Sequence, residues 1–167
     1  MNNNIPMCDI FIDKEGIWYY RGAEMKRREI VNYFYENLKR DPAGRYLIEL
    51  PGEDGDRCYV DVEDTAFVVR SVLDQNLNPG ARSGILLSLS DDSVEELEPA
   101  TLHVGQDNVL YCSVKKGCFG ARFSRASYYQ LARNIEYDDA MDHYFLSFNG
   151  QRFYIQNKSH SSGGITC

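Results

Sequence analysis

One stretch of this chain is written twice. Asp9 to Tyr20, DIFIDKEGIWYY, lies without a gap over Thr101 to Cys112, TLHVGQDNVLYC. Apolar and polar residues alternate in both, so that Ile10, Ile12, Ile17 and Tyr19 correspond to Leu102, Val104, Val109 and Tyr111. A period of two predicts a strand, a turn at KEG or QDN, and a second strand in each copy. A duplication constrains a chain more than any composition does, because whatever the first copy builds the second must build too.

Each copy continues in the same order. A basic, glycine-bearing stretch follows, RGAEMKRR at 21–28 and VKKGCFGARFSR at 114–125. An amphipathic helix comes next: Ile30, Val31, Phe34 and Leu38 form its stripe in the first copy, ending near Asp41-Pro42, and Tyr128, Leu131 and Ile135 form it in the second, with Ser124 placed to cap it. Two strands close each unit, RYLIEL at 45–50 with CYVDV at 58–62, and HYFLSF at 143–148 with RFYIQ at 152–156, so that Tyr46 matches Tyr144 and Tyr59 matches Tyr154. The second hairpin turns through Asn149-Gly150, a strong hairpin signal, and the first through the longer PGEDGD loop. The expected fold class is therefore α+β, built from duplicated strand-strand-helix-strand-strand units with mostly antiparallel sheets. The expected domains are 1–84, the first repeat with its connector; 85–157, the second repeat; and 158–167, a disordered tail. The connector carries VEDTAFVVRSVL, an Asn78-Pro79-Gly80 break and the strand ILLSLS at 85–90, and its strands are expected to extend the first unit's sheet. Repeats this small are expected to pack on each other, with a ligand cleft between them.

Composition narrows the function classes. No uncharged apolar run approaches the roughly 18 residues that span a bilayer, and MNNNIPMCD lacks the order of a signal peptide, so a cytoplasmic location is expected. Eighteen basic against 25 acidic residues, a net charge of −7, repels nucleic acid and acidic membranes. Five cysteines, at 8, 58, 112, 118 and 167, are an odd number without CxxC spacing. They read as small core hydrophobes and not as a disulfide scaffold, with Cys118, beside Lys115, Lys116 and Arg122, the one thiol worth testing. There is no GxSxG elbow, no phosphate loop and no metal-ligand spacing, and the acidic runs EDGDRCYVDVED and Asp138, Asp139, Asp142 read as hydrated loops; no cofactor is expected.

The basic residues carry the sharper signal. Arg21, Lys26, Arg27 and Arg28 precede or open the first helix, and Lys115, Lys116, Arg122 and Arg125 do so in the second copy. Cations there oppose the helix dipole at a cost of a few tenths to about 1 kcal/mol. An anion held at the helix start would reverse that cost, whereas the bland alternative pairs these cations with the chain's excess acids.

The segment IDKEGIWYYRGAEMKRREIVNYF at 12–34, followed by VEDTAFVV at 62–69, resembles a family of small bacterial proteins known as domain of unknown function 1285. Gly16, Trp18, Gly22, Arg27, Val31, Phe34, Val62, Glu63, Asp64 and Phe67 match its pattern; Ala23, Glu24 and Ala66 depart from it. The resemblance implies a duplicated α+β core, a C-terminal half like a pleckstrin-homology fold, a ligand site at the domain interface for a nucleotide-like molecule, and a link to signalling. The leading expectation is a non-enzymatic binding module for a small anionic, nucleotide-like ligand. Arg27, Arg28 and Arg125 would engage the anion, Trp18 and Tyr20 would wall the site, and Glu63 or Asp64 would accept hydrogen bonds. The alternative is a protein-interaction adaptor using the pleckstrin-like half. An enzyme would need Asp61, Glu63 and Asp64 to converge in a pocket. Exposed strand edges leave a homodimer open.

Overall fold

The computed structural model describes residues 4–52, 55–74 and 84–158. The chain divides into two compact units, one ending at Ala66 and the other beginning at Phe67. The first contains β1 (Met7–Ile12), β2 (Trp18–Tyr20), β3 (Ala23–Glu24), α1 (Arg28–Glu36), β4 (Leu38–Arg40), β5 (Tyr46–Glu49) and β6 (Arg57–Val62). The second contains β7 (Phe67–Asp74), β8 (Ile85–Leu89), β9 (Val94–Glu96), β10 (His103–Val104), β11 (Leu110–Val114), β12 (Phe119–Phe123), α2 (Arg125–Ala132), β13 (Ile135–Asp138), β14 (His143–Phe148), β15 (Gln151–Tyr154) and β16 (Gln156–Asn157). The fold is α+β, with mixed sheets that are mostly antiparallel.

The duplication reappears as strand register. In the first unit the sheet order is β3-β2-β1-β6-β5-β4, with β1 and β6 parallel. In the second, β12-β11-β10-β16 and β15-β14-β13 repeat that order, again with one parallel pair, β10 with β16. Ile12 faces Trp18 as Val104 faces Leu110. Leu38 faces Ile48 as Ile135 faces Leu146, and Leu47 faces Tyr59 as Phe145 faces Tyr154. A one-residue slip would turn every core side chain outward, so agreement at all of these pairs means the two patterns specify one topology. The last strand differs: β6 is continuous, whereas its counterpart breaks at Ile155, β15 pairing with β14 and β16 with β10.

Local chemistry explains the turns. Asp13 Oδ1 accepts the backbone N–H groups of Glu15 (3.0 Å) and Ile17 (2.9 Å), while Gly16 supplies the left-handed φ of +79° that the KEG turn needs. Asn149 and Gly150 both take positive φ, the backbone of a tight hairpin turn. A brace is also shared. Asp41 accepts the hydroxyl of Tyr59 (3.0 Å) and Asp138 that of Tyr154 (2.8 Å), at matching places in the two units. Each carboxylate also accepts two backbone amides of its own turn and an arginine, Arg45 or Arg152.

Four expectations are corrected. The helices are shorter than the periodicity implied: Asn37 stops α1, its side chain donating to the Tyr33 carbonyl, and Leu38 and Ile135 belong to strands that pair with β5 and β14. The first copy therefore has three strands on either side of its helix, and the second has three before and four after, its last strand being split into β15 and β16. The connector's strands extend the second unit's sheet and not the first's, because β7 pairs in parallel with β12 and antiparallel with β8. Most consequentially, Cys8 and Cys58 form a disulfide. The parallel pairing of β1 with β6 brings residues 50 apart in sequence to a Cα separation of 5.0 Å, which spacing along the chain could not show. Cys118 is likewise disulfide-bonded and offers no free thiol. Cys112 is free but buried, and burial, with Glu95 adding to it, pushes its thiol up to about 12. The 78–80 break and the tail beyond Lys158 lie outside the described residues.

Candidate anion site in the first unit

Trp18 organises the first unit. It is 1% exposed, stacks on Phe34 at 6.1 Å and meets Tyr35 edge-on at 4.8 Å, and so fixes α1 over the sheet. Tyr35 in turn donates its hydroxyl to the Ala66 carbonyl at 2.9 Å. The indole Nε1 is buried without a hydrogen-bond partner among the described residues, a cost of about 1–3 kcal/mol that the surrounding aromatic packing outweighs.

A groove of about 570 Å³ opens beside this cluster. Ile10 and Ile48 come from the sheet, Leu50 directly follows β5, Ile30 and Phe34 come from α1, and the Cys8–Cys58 disulfide forms part of the wall. Tyr20, Glu24, Lys26 and Arg27 stand at its edge, all exposed. Arg27 is the N-cap residue of α1, yet it makes no side-chain capping bond, whereas Ser124, its counterpart on α2, accepts the Ser127 amide at 3.1 Å.

The fate of the basic residues separates the two readings of them. Arg21 pairs with Asp9 at 3.2 Å, and Lys115 lies 2.7 Å from Asp91 and 3.0 Å from Glu95. Burial alone would lower the Lys115 pKa, but these two carboxylates overcome it and raise it. These cations follow the bland alternative. Lys26 and Arg27 do not: among the described residues neither side chain has an ion pair or hydrogen bond, in a chain of net charge −7. A wider groove of about 820 Å³ in the second unit, lined by Glu95, Glu96, Glu98, Lys115 and Lys116, is predominantly acidic, with Lys115 already neutralised. It offers little to an anion.

Of the residues expected at the site, the structure brings Tyr20 and Arg27 to one groove. Trp18 cannot wall it, being buried behind Phe34 because its size is needed under the helix. Arg28 lies one position further along α1 and donates to Asn32 at 3.2 Å. Glu63 accepts the Lys14 amide at 2.8 Å and so braces the β1–β2 turn. Asp64 lies in the segment after β6, where its charge helps raise the Tyr46 pKa behind the larger effect of burial. Arg125 opens α2 in the other unit. The residues that sequence reasoning missed are the lining itself, Ile10, Ile48, Leu50 and the disulfide, and Lys26, noted in the basic run but not assigned to a site. No group of three or more His, Cys, Asp or Glu among the described residues could hold a metal ion. No helix among them is long and apolar enough to cross a membrane.

Residues 3–65 match the family model of the N-terminal domain of a domain of unknown function, DUF1285. Two solved structures share the fold. A DUF1285 family protein from Silicibacter pomeroyi DSS-3 is 21% identical with a TM-score of 0.71, over 90% of this chain and 80% of that one. Another from Shewanella baltica OS155 is 19% identical with a TM-score of 0.58, over 74% of this chain and 90% of that one. The chain thus resembles this family in its N-terminal sequence and in its fold. No protein with a curated description matches it in sequence.

Proposed function

We propose that this chain is a binding module whose first unit holds a small anion at Lys26 and Arg27. The observation that carries the reading is the pair of cations, unpartnered among the described residues, at the edge of an apolar groove, next to a helix start that its own N-cap side chain leaves uncapped. An oxyanion there would satisfy the guanidinium and ammonium and face the positive end of the α1 dipole. The reading places the ligand in one unit and needs no residue from the other, which separates it from the interface site that the family resemblance implies. It invokes no reaction, since the groove presents an acceptor-poor, apolar wall and no nucleophile–base pair.

A thermal-shift screen with inorganic phosphate, nucleotides, sugar phosphates and simple carboxylates tests it, with Arg27→Ala as the control. A ligand at about one hundred times its dissociation constant should stabilise the fold by about 2.7 kcal/mol, a shift of a few degrees. The shift should vanish in Arg27→Ala and persist in Arg125→Ala. A shift equally sensitive to both substitutions would refute the first-unit site.

A further inference from the structure

Resting on that reading, we propose that the anion is the head of a medium-length, single-chain carboxylate whose hydrocarbon tail lies in the groove. Three observations favour it over a nucleotide or a phosphate.

The polarity of the groove is divided by depth. Its polar side chains, Tyr20, Glu24, Lys26 and Arg27, are exposed at the edge, while Ile10 and Ile48 are buried and Phe34 and Leu50 half-buried. A base or a sugar seated there would lose hydrogen bonds to water and regain few, because the inner wall carries no side-chain amide or hydroxyl. An alkyl chain loses none and gains burial.

The charge at the edge is small. Two cations and the Glu24 carboxylate leave one net positive charge, which suits a monoanion and is a poor match for a phosphate dianion.

The exposed hydrophobes agree. Ile30, on the helix side of the groove, is 40% exposed, and Tyr20, on the sheet side, is 45% exposed. Covering such area is worth roughly 0.8 kcal/mol per buried methylene, which converts to about a fourfold gain in affinity for each carbon added until the groove is full.

The protein carries its own reporter. Trp18 is the only tryptophan and packs against Phe34, a lining residue, so its emission should respond to occupancy. The test titrates the full chain, disulfide intact, with hexanoate, octanoate and decanoate below their micelle concentrations, and with decanol, AMP, inorganic phosphate and phosphatidylglycerol vesicles, reading Trp18 emission and thermal shift together. The expected result is affinity rising about fourfold per methylene, decanol binding about tenfold more weakly than decanoate, and the carboxylate preference disappearing in Arg27→Ala. Ile30→Glu should abolish decanoate binding. Both positions are exposed, so both variants should keep the wild-type melting profile without ligand.

Phosphate or AMP binding that is lost in Arg27→Ala, without any decanoate binding, would overturn the tail assignment and leave the anion reading intact. Binding to phosphatidylglycerol vesicles but not to free decanoate would overturn it in favour of a membrane surface. No response to any of these compounds would overturn both.

Discussion

The two repeats share a register and differ in what they do with it. At corresponding places, Tyr20, Ala23, Ile30 and Phe34 border a groove in the first unit, while Cys112, Ala121, Ser127 and Leu131 are fully buried core in the second. The difference begins at the sheet edge. The first unit's sheet ends at the two exposed residues of β3, but β12, its counterpart, is followed by β7, β8 and β9. α2 packs against β7, and the small Ser127 lets it approach closely enough for the hydroxyl to donate to the Val69 carbonyl at 2.7 Å. Ile30, at the same place on α1, has no such strand to settle on and stays 40% exposed. A duplicated scaffold thus leaves one copy free to keep a cavity while the other is filled and becomes structural.

The contrast can be broken at several points. The largest effect should come from the disulfide, which only the first unit has at this place, since Ala100 and Phe153 occupy the corresponding positions. Opening a loop of 50 residues costs about 4 kcal/mol in the chain-entropy model. Cys8→Ala together with Cys58→Ala should therefore lower the denaturant midpoint of the first unit and leave the β7–β16 unit as the more stable part in hydrogen exchange. Uniform weakening of both units would show that they unfold as one.

Next in size, Ser127→Ala removes one of two donors to the Val69 carbonyl, which keeps the Ser124 amide at 3.0 Å, and should cost about 0.5–1.5 kcal/mol, whereas Ile30→Ala at the matching exposed place should stay within about 0.5 kcal/mol. Comparable losses at the two sites would mean that the groove is not open in solution.

Arg27→Ser gives the first helix the cap that the second already has. It should raise stability by about 1 kcal/mol in chemical denaturation while removing anion binding, a trade expected of a site held ready for a ligand.

The smallest effect is one the repeats should share. For Asp138, the Tyr154 hydroxyl leads, with the Met141 and Ala140 amides and Arg152 helping, against the opposing effect of burial, and its pKa is lowered. For Asp41, burial would raise the pKa, but the Arg45 amide, the Arg45 side chain and Tyr59 together lower it. A lowered folded value means stability that is complete above the ordinary carboxylate value of about 3.9 and is lost as pH falls through the folded one. Asp41→Asn and Asp138→Asn should each flatten the acid limb of a melting-temperature profile below about pH 4 and change nothing near neutrality beyond a constant offset. A flattened limb in one variant alone would end the equivalence of the two braces.

Much of this architecture was legible in the residues, and the reasons differ by element. Alternation in DIFIDKEGIWYY and TLHVGQDNVLYC fixes face and register together, so the hairpins and the tyrosine correspondences were readable. The two-residue β3 and the short β4 and β13 were not, because so few residues carry no period and are held by pairing alone. The destination of β7 was hidden for a related reason: a continuous apolar strand states that it is buried, not beside which sheet. At the candidate groove, the basic run before α1 and the aromatic end of β2 place Arg27 and Tyr20 at one edge, which is as far as the residues alone reach. Trp18 was misread because bulk alone does not say which side of a helix a ring occupies. Ile10, Ile48, Leu50 and the disulfide become a groove wall only after the parallel β1–β6 pairing has brought them together.

The same cross-link has a mechanical meaning. Because Cys8 and Cys58 close a covalent ring around most of the first unit, a force applied along the chain cannot draw that unit into a single thread. About 170 Å of contour length stays locked inside the ring. A protein-translocating pore or an unfolding motor that engages either end must therefore admit two strands abreast, or wait for a thiol to open the bond. Resistance to pulling in the first unit is thus set by redox chemistry before it is set by hydrogen bonds.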